Sequence, residues 1–295
     1  MNDILQKKLV IGLPDSAITD YIIRNIEKIR PFGIIFFSRN FHSTEELKKI
    51  ISQLRSIDGN LEFLIDQEGG EKCRIFKKPY CPPLPLDMRK WKPSAVEEAF
   101  LSSSEALAEL GITINLAPVA DLGTGEYIRR RTFGKNPEDV AERVAAAICG
   151  ISRGGLKPCA KHFPGLGSAD IDPHKSLPET DMPLEEFENK HFIPFRAAIE
   201  AKCPFMMTTH ILAKSIDGKN PATYSRKIVN ILRDMGFSGK IFTDDVAEMK
   251  GAEIIPARKR ISAALNAGHD VVLWCSGKNN FCEENINNNE EKSTD

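Results

Sequence analysis

Eight short apolar segments, most of them followed by a stretch with helical spacing, constrain the fold of this chain more than any other feature. Alternation of a buried strand with a helix is typical of βα units, whose strands lie parallel in one sheet. The predicted strands cover residues 9–13, 33–37, 61–66, 112–117, 157–163, 205–210, 240–245 and 270–275. Because eight such units close a barrel, the sequence predicts an α/β fold, a (β/α)8 TIM-type barrel in a single domain.

Helix start signals lie between several of the predicted strands. Ser43 and Ser94 are each followed three residues later by a glutamate, which is the spacing of a capping box. Asn136 before Pro137 places a cap and a first-turn proline ahead of an apolar stripe with helical spacing. We therefore predict helices that begin at these three points and pack their apolar faces on the barrel.

The end of the chain differs from the rest in composition. Residues 276–295 are rich in Asn, Glu and Lys and carry almost no apolar periodicity. Such a segment cannot bury enough apolar area to offset the entropy that ordering costs. We expect a catalytic barrel over residues 1–275 and a flexible polar tail over residues 276–295, without a packed eighth helix.

Charge and composition narrow the class of partner. Lys plus Arg number 40 and Asp plus Glu number 41, so the net charge of −1 favours neither nucleic acid nor a membrane surface. The N-terminus lacks the apolar stretch of a signal peptide, and no segment approaches the about 18 apolar residues of a membrane span. The seven cysteines are scattered, without zinc-ligand spacing, as expected for reduced thiols. We expect a cytoplasmic protein that binds a small neutral molecule and needs no metal or other cofactor; the oligomeric state stays open.

Polar residues stand at or near the ends of several predicted strands. They are Asp66, Asp121, Lys161, His162, His210, Asp244 and Asp245. In a barrel of this kind the carboxyl ends of all strands meet at one mouth, and active sites lie there. We therefore expect polar side chains from strands far apart in the sequence to converge on one site.

Five motifs at these positions resemble glycoside hydrolase family 3, both in order and in spacing. They are IDQEGG (65–70), NLAPVADL (115–122), RTFG (131–134), KHFPGLGSADIDPH (161–174) and FTDDVAEM (242–249). Within that family the likeness is to the single-domain bacterial β-N-acetylglucosaminidases that recycle cell-wall fragments, and it covers roughly residues 5–275. The resemblance implies a retaining exo-glycosidase with a small carbohydrate as substrate.

The resemblance also implies which residues react. Asp244, the first aspartate of the TDD triplet, would attack the anomeric carbon and leave a covalent glycosyl-enzyme for water to resolve. His174, paired with Asp172, would be the acid/base, which departs from the two carboxylates of most glycosidases. An imidazole that titrates near about pH 6.5 can protonate the leaving oxygen and then accept a proton from water. Asp245 is expected to support or cap rather than react.

Further matches are to family positions that bind the hydroxyls and the acetamido group of the terminal sugar. They are Asp66, Arg74, Arg131, Lys161 and His162, while His210 is open between a site residue and a buried core histidine. Charged groups at such positions make stronger hydrogen bonds than neutral ones. Where the family loop commonly reads GHGD, residues 165–168 read GLGS, so a histidine and an aspartate of that loop are missing.

Several functions stay open from the sequence. An exo-acting β-N-acetylglucosaminidase is the first, and a β-glucosidase of the same family or a non-catalytic sugar-binding barrel are the alternatives. The Asp172 and His174 pair favours the first, because the family's glucosidases usually take their acid/base from elsewhere. The aglycone stays open between muropeptides, chitin fragments and glycan ends, and a cytoplasmic location favours muropeptides. A histidine acid/base, unlike a carboxylate, would not repel phosphate, so phosphorolysis also stays open beside hydrolysis.

Overall fold

The computed structural model describes residues 6–276, and its main feature is a closed barrel of eight parallel strands. These strands are β1 (Leu9–Gly12), β2 (Gly33–Phe36), β3 (Glu62–Ile65), β4 (Ile114–Asn115), β5 (Lys157–Phe163), β7 (Phe205–Thr208), β9 (Lys240–Asp245) and β10 (Val271–Trp274). They follow one another around the barrel in chain order, and β10 closes it beside β1, with Leu9 opposite Val272. Two-residue strands β6 (Glu179–Thr180) and β8 (Leu212–Ala213) pair outside the barrel. The predicted strands and fold class are confirmed.

Helices surround the barrel. They are α1 (Asp20–Ile29), α2 (Thr44–Ile57), α3 (Pro93–Glu109), α4 (Pro137–Arg153), α5 (Leu184–Glu186), α6 (Phe192–Glu200), α7 (Arg226–Asp234) and α8 (Ala257–Ala267). A π-helical turn, Phe187–His191, joins α5 to α6. The most extensive helix contacts are those of α4 with its neighbours α3 and α6. None of the helices in the described part of the chain is long and apolar enough to cross a membrane.

Two of the three predicted helix caps are confirmed. The side chains of Ser43 and Asn136 each accept a hydrogen bond from the backbone amide three residues later, at 3.1 and 2.9 Å. The prediction for Ser94 is wrong, because α3 begins at Pro93 with Lys92 as its N-cap and no side-chain cap. A proline at the first helical position has its backbone preset for the helix and no amide to satisfy, so the N-cap lies two residues before Ser94.

Apolar side chains fill the amino-terminal half of the barrel. The rings of Phe32, Phe205 and Phe242 contact one another with centroids 4.9 to 6.2 Å apart. Alternation along the strands directs other residues outward, such as Phe63 and Ile65, into a second core beneath the helices. The three phenylalanine rings form an aromatic plug that closes the amino end of the barrel, so the barrel interior can accept a ligand at its carboxyl end.

The predicted polar tail, residues 276–295, lies outside the described residues except for Ser276. Its flexibility and its lack of a packed helix therefore stay predictions. The same holds for the division of the chain at residue 275.

Candidate active site

A cavity of 210 Å³ opens at the carboxyl ends of the barrel strands. Its apolar lining includes Ile35, Leu116, Met207 and Leu273, which also belong to the core inside the barrel. The cavity is smaller than the about 300–1,000 Å³ of typical drug-sized sites, so it suits one small ring better than an extended ligand. The predicted site residues in its wall are Asp66, Arg74, Arg131, Lys161, His162, His174 and Asp244.

Asp66, at the end of β3, holds two cations in the cavity wall. Its Oδ1 lies 2.8 Å from Lys161 Nζ, and its Oδ2 lies 2.7 Å from Arg74 Nη2. Burial opposes ionisation of Asp66, but the charges of Lys161 and Arg74 outweigh it and hold the pKa of Asp66 well below its usual range. The carboxylate is therefore charged at neutral pH and can accept hydrogen bonds from a bound ligand.

Glu68 is a member of the site that the sequence analysis does not identify. Its carboxylate accepts two hydrogen bonds from Arg131, from Nε and Nη2, both at 2.8 Å. It also lies 2.7 Å from Lys161 Nζ, and its side chain is 3% exposed. Despite burial, the charges of Arg131 and Lys161 lower the pKa of Glu68 to about 2. Glu68 could have been identified in the sequence by its position in the IDQEGG motif, two residues after Asp66.

Asp121 is buried beneath the site and orients His162. Its Oδ2 accepts from the backbone amide of His162 at 3.0 Å and lies 2.7 Å from the imidazole Nδ1. Its Oδ1 accepts from the amide of Leu166 at 2.6 Å. Since a carboxylate accepts, Nδ1 is the donor, and the other nitrogen, Nε2, lies 3.3 Å from Arg131 Nη2. Asp121 therefore holds the ring of His162 in place and is not itself in the cavity wall.

The two aspartates at the end of β9 lie in different surroundings. Both line the cavity, and Asp244 Oδ1 accepts from the backbone amide of Asp245 at 2.8 Å. The Asp245 carboxylate accepts from the amides of Ala247 at 3.0 Å and Cys275 at 2.8 Å. Burial raises the pKa of Asp245. Asp245 therefore joins the turn after β9 to the end of β10, while Asp244 stays open to a ligand.

Asp172 orients His174 on the loop after β5. The imidazole Nδ1 lies 2.8 Å from Asp172 Oδ1, which also accepts from the backbone amide of His174 at 2.9 Å. Burial opposes ionisation of Asp172, but hydrogen bonds from His174 outweigh it and lower the pKa of that carboxyl. The amide of Gly251 donates to Pro173 O at 3.2 Å, and this hydrogen bond anchors the loop. The His174 side chain is 59% exposed, which leaves Nε2 free to exchange protons with a ligand.

Tyr127 is a second cavity residue that the sequence analysis does not identify. Its hydroxyl accepts from Arg131 Nη1 at 3.3 Å and lies 3.5 Å from His174 Nδ1. Burial raises the pKa of Tyr127 to about 12, so the phenol keeps its proton at neutral pH. Tyr127 therefore links the arginine on one side of the cavity to the histidine loop on the other.

Arg39 is the third unpredicted residue in the wall. Its Nε donates to Leu13 O at 3.0 Å and its Nη2 donates to Cys275 O at 2.8 Å. Two guanidinium groups contact the ring of Phe37, that of Arg39 at 4.4 Å and that of Arg74 at 4.9 Å from its centroid. These contacts fix the wall between β1, β2 and β10.

His210 lies behind the cavity rather than in its wall. Its side chain is completely buried, with Nδ1 2.7 Å from Thr223 Oγ1 and Nε2 2.8 Å from Asp245 O. Burial lowers the pKa of His210, so the ring is neutral. Both ring nitrogens are occupied, and His210 supports the turn that carries the two aspartates. Within residues 6–276, no group of three or more His, Cys, Asp or Glu side chains is arranged to bind a metal ion.

Comparison with known proteins gives consistent matches. The model of the glycosyl hydrolase family 3 N-terminal domain matches residues 9–293. The β-hexosaminidase of Alkalilimnicola ehrlichii is 34% identical over 83% of this chain and 73% of its own length. That of Neisseria meningitidis serogroup B is 36% identical over 83% of this chain and 71% of its own length.

The chain is also similar to solved structures. Native NagZ from Neisseria gonorrhoeae is 29% identical, with a TM-score of 0.84 over 92% of this chain and 81% of that one. The β-N-acetylglucosaminidase from Thermotoga maritima is 30% identical, with a TM-score of 0.84 over 95% of this chain and 60% of that one.

Proposed function

This chain belongs to glycosyl hydrolase family 3 and is a β-N-acetylhexosaminidase, and we propose that it removes terminal β-linked N-acetylglucosamine with retention of configuration. One observation carries the proposal. Asp244 and His174 line the same cavity, and each reactive group is oriented by its own neighbour, Asp245 for the carboxylate and Asp172 for the imidazole. A nucleophile and a separate proton donor beside one small cavity are what a double displacement requires.

In the proposed first step, Asp244 attacks the anomeric carbon while the glycosidic oxygen leaves with a proton from His174 Nε2. Asp172 Oδ1 lies against Nδ1, so Nε2 is the nitrogen left to give up this proton. In the second step, neutral His174 takes a proton from water, which attacks the glycosyl-enzyme and releases the sugar. Asp172 acts throughout as the group that holds the ring and its tautomer.

We assign the remaining charged side chains to binding of the terminal sugar. Asp66 and Lys161 face the cavity in fixed positions because each is already paired, and such groups bind sugar hydroxyls without reorganising. Arg74, Arg131 and His162 complete the wall, and Arg131 is proposed to lie near the acetamido group. A cavity sized for one ring favours attack at the end of a chain, which supports exo action.

A neighbouring cavity of 310 Å³ suits the aglycone, because its lining shares Lys72, Tyr127 and Arg131 with the first. Leu84 and Leu86 provide apolar surface there. The exposed cations in its rim, Arg129 and Arg130, are each paired with a glutamate.

Lys72, by contrast, has no ion-pair partner among residues 6–276. We therefore propose an aglycone that carries a carboxylate, as muropeptides do, in preference to a neutral chitin fragment.

Side-by-side turnover of aryl β-N-acetylglucosaminide and aryl β-glucoside tests the proposed reaction. We expect the N-acetylglucosaminide to be the better substrate by at least about tenfold in kcat/KM, because the acetamido group makes contacts that a hydroxyl cannot. Equal or better turnover of the glucoside would move the assignment to a β-glucosidase. Absence of turnover with both, in folded protein, would favour a sugar-binding barrel without catalysis.

Lys72→Ala tests the aglycone. We expect KM to rise about three- to tenfold for a substrate whose aglycone carries a carboxylate, with little change for a neutral aglycone. Lys48→Ala, on the exposed face of α2, is the matched control and should alter neither substrate. An equal effect of Lys72→Ala on both substrates would remove the argument for an anionic aglycone.

A further inference from the structure

Two cysteine sulfurs meet beside the active site although the sequence separates them by eight positions. Cys73 Sγ and Cys81 Sγ lie 2.7 Å apart, and both residues are free thiols in this structure. Cys73 directly precedes Arg74, whose guanidinium holds Asp66 in the cavity wall. The two thiols therefore lie at the base of a loop that carries part of the site.

The backbone holds this pair together independently of the sulfur atoms. The buried amide side chain of Gln67 donates to Ile75 O at 2.7 Å and to Tyr80 O at 3.1 Å, so it binds both arms of the loop. The amide of Gly70 donates to Pro82 O at 3.0 Å, one residue beyond Cys81. Since these contacts fix both arms, each sulfur is presented to the other at a high effective concentration.

The two thiols differ in their access to solvent. Cys73 is 1% exposed, whereas Cys81 is half-buried and reachable from outside. The hydrogen bond between the two sulfurs also lowers the pKa of Cys81 and raises the pKa of Cys73. Cys81 is therefore the sulfur that an oxidant meets first, and Cys73 is the one placed to resolve the adduct.

We propose that Cys73 and Cys81 form a reversible disulfide on reaction with a low-molecular-weight disulfide such as glutathione disulfide. The Cys81 thiolate attacks one sulfur of glutathione disulfide, forms a mixed disulfide and releases one glutathione thiolate. Cys73 then attacks Cys81 Sγ, loses its proton and expels the second glutathione. The protein loses two electrons and two protons in total, and one glutathione disulfide becomes two glutathione thiols. The ring closed by this bond contains Arg74.

Mapping of disulfides in the wild-type chain tests the proposal. The reduced protein is incubated with increasing glutathione disulfide, quenched in acid, alkylated with a maleimide and digested with trypsin, which can cut after Arg74 and Lys77. Cys149, which is exposed, serves as the internal control, since it should become glutathionylated once the oxidant is effective. At that point we expect the Cys73 and Cys81 peptides to be joined by a bond that dithiothreitol cleaves.

Two outcomes would overturn the proposal once Cys149 carries glutathione. One is maleimide on both Cys73 and Cys81, which would mean that the pair does not react. The other is a lasting glutathione adduct on Cys81, which would mean that Cys73 cannot reach it. In Cys73→Ser that adduct is the expected product, so this variant supplies its reference mass.

Thermal unfolding provides an independent measurement. The bond closes a short loop, so the oxidised wild type should melt about 5 °C above the reduced form. Cys149→Ser should keep this shift and Cys73→Ser should lose it. Equal melting temperatures for oxidised and reduced wild type, with the bond present by mass, would show that the bond does not constrain the loop and would overturn this prediction.

Discussion

At the scale of single residues, two adjacent carboxylates of this site have different environments. Both line the cavity, but the Asp244 carboxylate accepts one hydrogen bond from the backbone, whereas the Asp245 carboxylate accepts from the amides of Ala247 and Cys275. Hydrogen bonds from backbone amides thus assign Asp245 a supporting role beside Asp244, although the two residues are of the same type.

Asp244→Ala should reduce kcat by at least roughly three orders of magnitude, because the nucleophile divides one difficult displacement into two easier ones. Asp245→Asn should cost far less, since an amide oxygen can still accept from the amides of Ala247 and Cys275. Steady-state kinetics with an aryl N-acetylglucosaminide measures both. Equal loss in the two folded variants would contradict the assignment of Asp244, as would trapping of a fluorinated sugar on any other residue.

Glu68 connects the sugar-binding cations, and its removal should affect both stability and activity. Glu68→Gln leaves Lys161 and Arg131 buried with less compensating charge, so we expect a loss of about 3 kcal/mol in unfolding free energy. We also expect kcat/KM to fall about 10- to 100-fold as those side chains shift.

The exposed neighbour Glu71 provides the control for this prediction. Glu71 pairs with the exposed Arg130, so Glu71→Gln should change stability by less than about 0.5 kcal/mol. Urea unfolding and aryl-glycoside kinetics give the two quantities. Similar effects from both substitutions would show that burial of the Glu68 pair has no special importance.

At the scale of secondary-structure elements, a buried histidine connects β7 to α8. His269 Nε2 lies 2.8 Å from Thr208 Oγ1 at the end of β7, and Nδ1 lies 3.1 Å from Ala264 O in α8. Burial lowers the pKa of His269 to about 4. In the folded state the ring of His269 therefore stays neutral at pH values where the same ring in the unfolded chain binds a proton, which begins near about pH 6.5.

This difference predicts the sign of a pH effect on stability. Above about pH 6.5 the ring is neutral in both states, and its contribution to stability is fully present. As the pH falls from about 6.5 to 4, only the unfolded state gains the proton, so stability falls by up to about 3 kcal/mol. His269→Gln should remove this part of the pH dependence, measured by urea unfolding at several pH values, while His42→Gln at an exposed position should not. Identical profiles for wild type and His269→Gln would refute the prediction.

At the scale of the whole molecule, the side chains that stabilise the barrel and those that line the candidate active site lie at opposite ends of its axis. The aromatic plug fills the amino end and the charged cavity occupies the carboxyl end.

Phe205→Ala, at the start of β7, should cost about 3–5 kcal/mol in unfolding free energy, with kcat/KM within about threefold of wild type at 25 °C. Phe76→Ala should cost under about 0.5 kcal/mol, because that ring is 67% exposed. A large fall in kcat/KM of folded Phe205→Ala would show that the two ends are coupled.

Much of this architecture was predictable from the order of residues. Strand positions follow from local apolar runs, and all eight predicted strands lie in the barrel. Ser94 shows the limit of local reasoning, because the competing proline one residue earlier starts the helix and displaces the expected cap. Which of several adjacent residues becomes the N-cap depends on the backbone conformation, and residue spacing alone does not predict it.

The sequence by itself determined the alternation of strands and helices, and through five motifs it indicated the family and the charged residues at the strand ends. Only the tertiary structure decided which partner each of those residues has. Glu68 and Arg131 stand 63 positions apart, and their pairing requires the barrel to bring two distant loops together. Likewise, the buried position of His210 behind the cavity depends on its hydrogen bonds with Thr223 and Asp245. Periodicity reports the local face of a strand or helix, whereas burial and pairing arise only when all strands close on one axis.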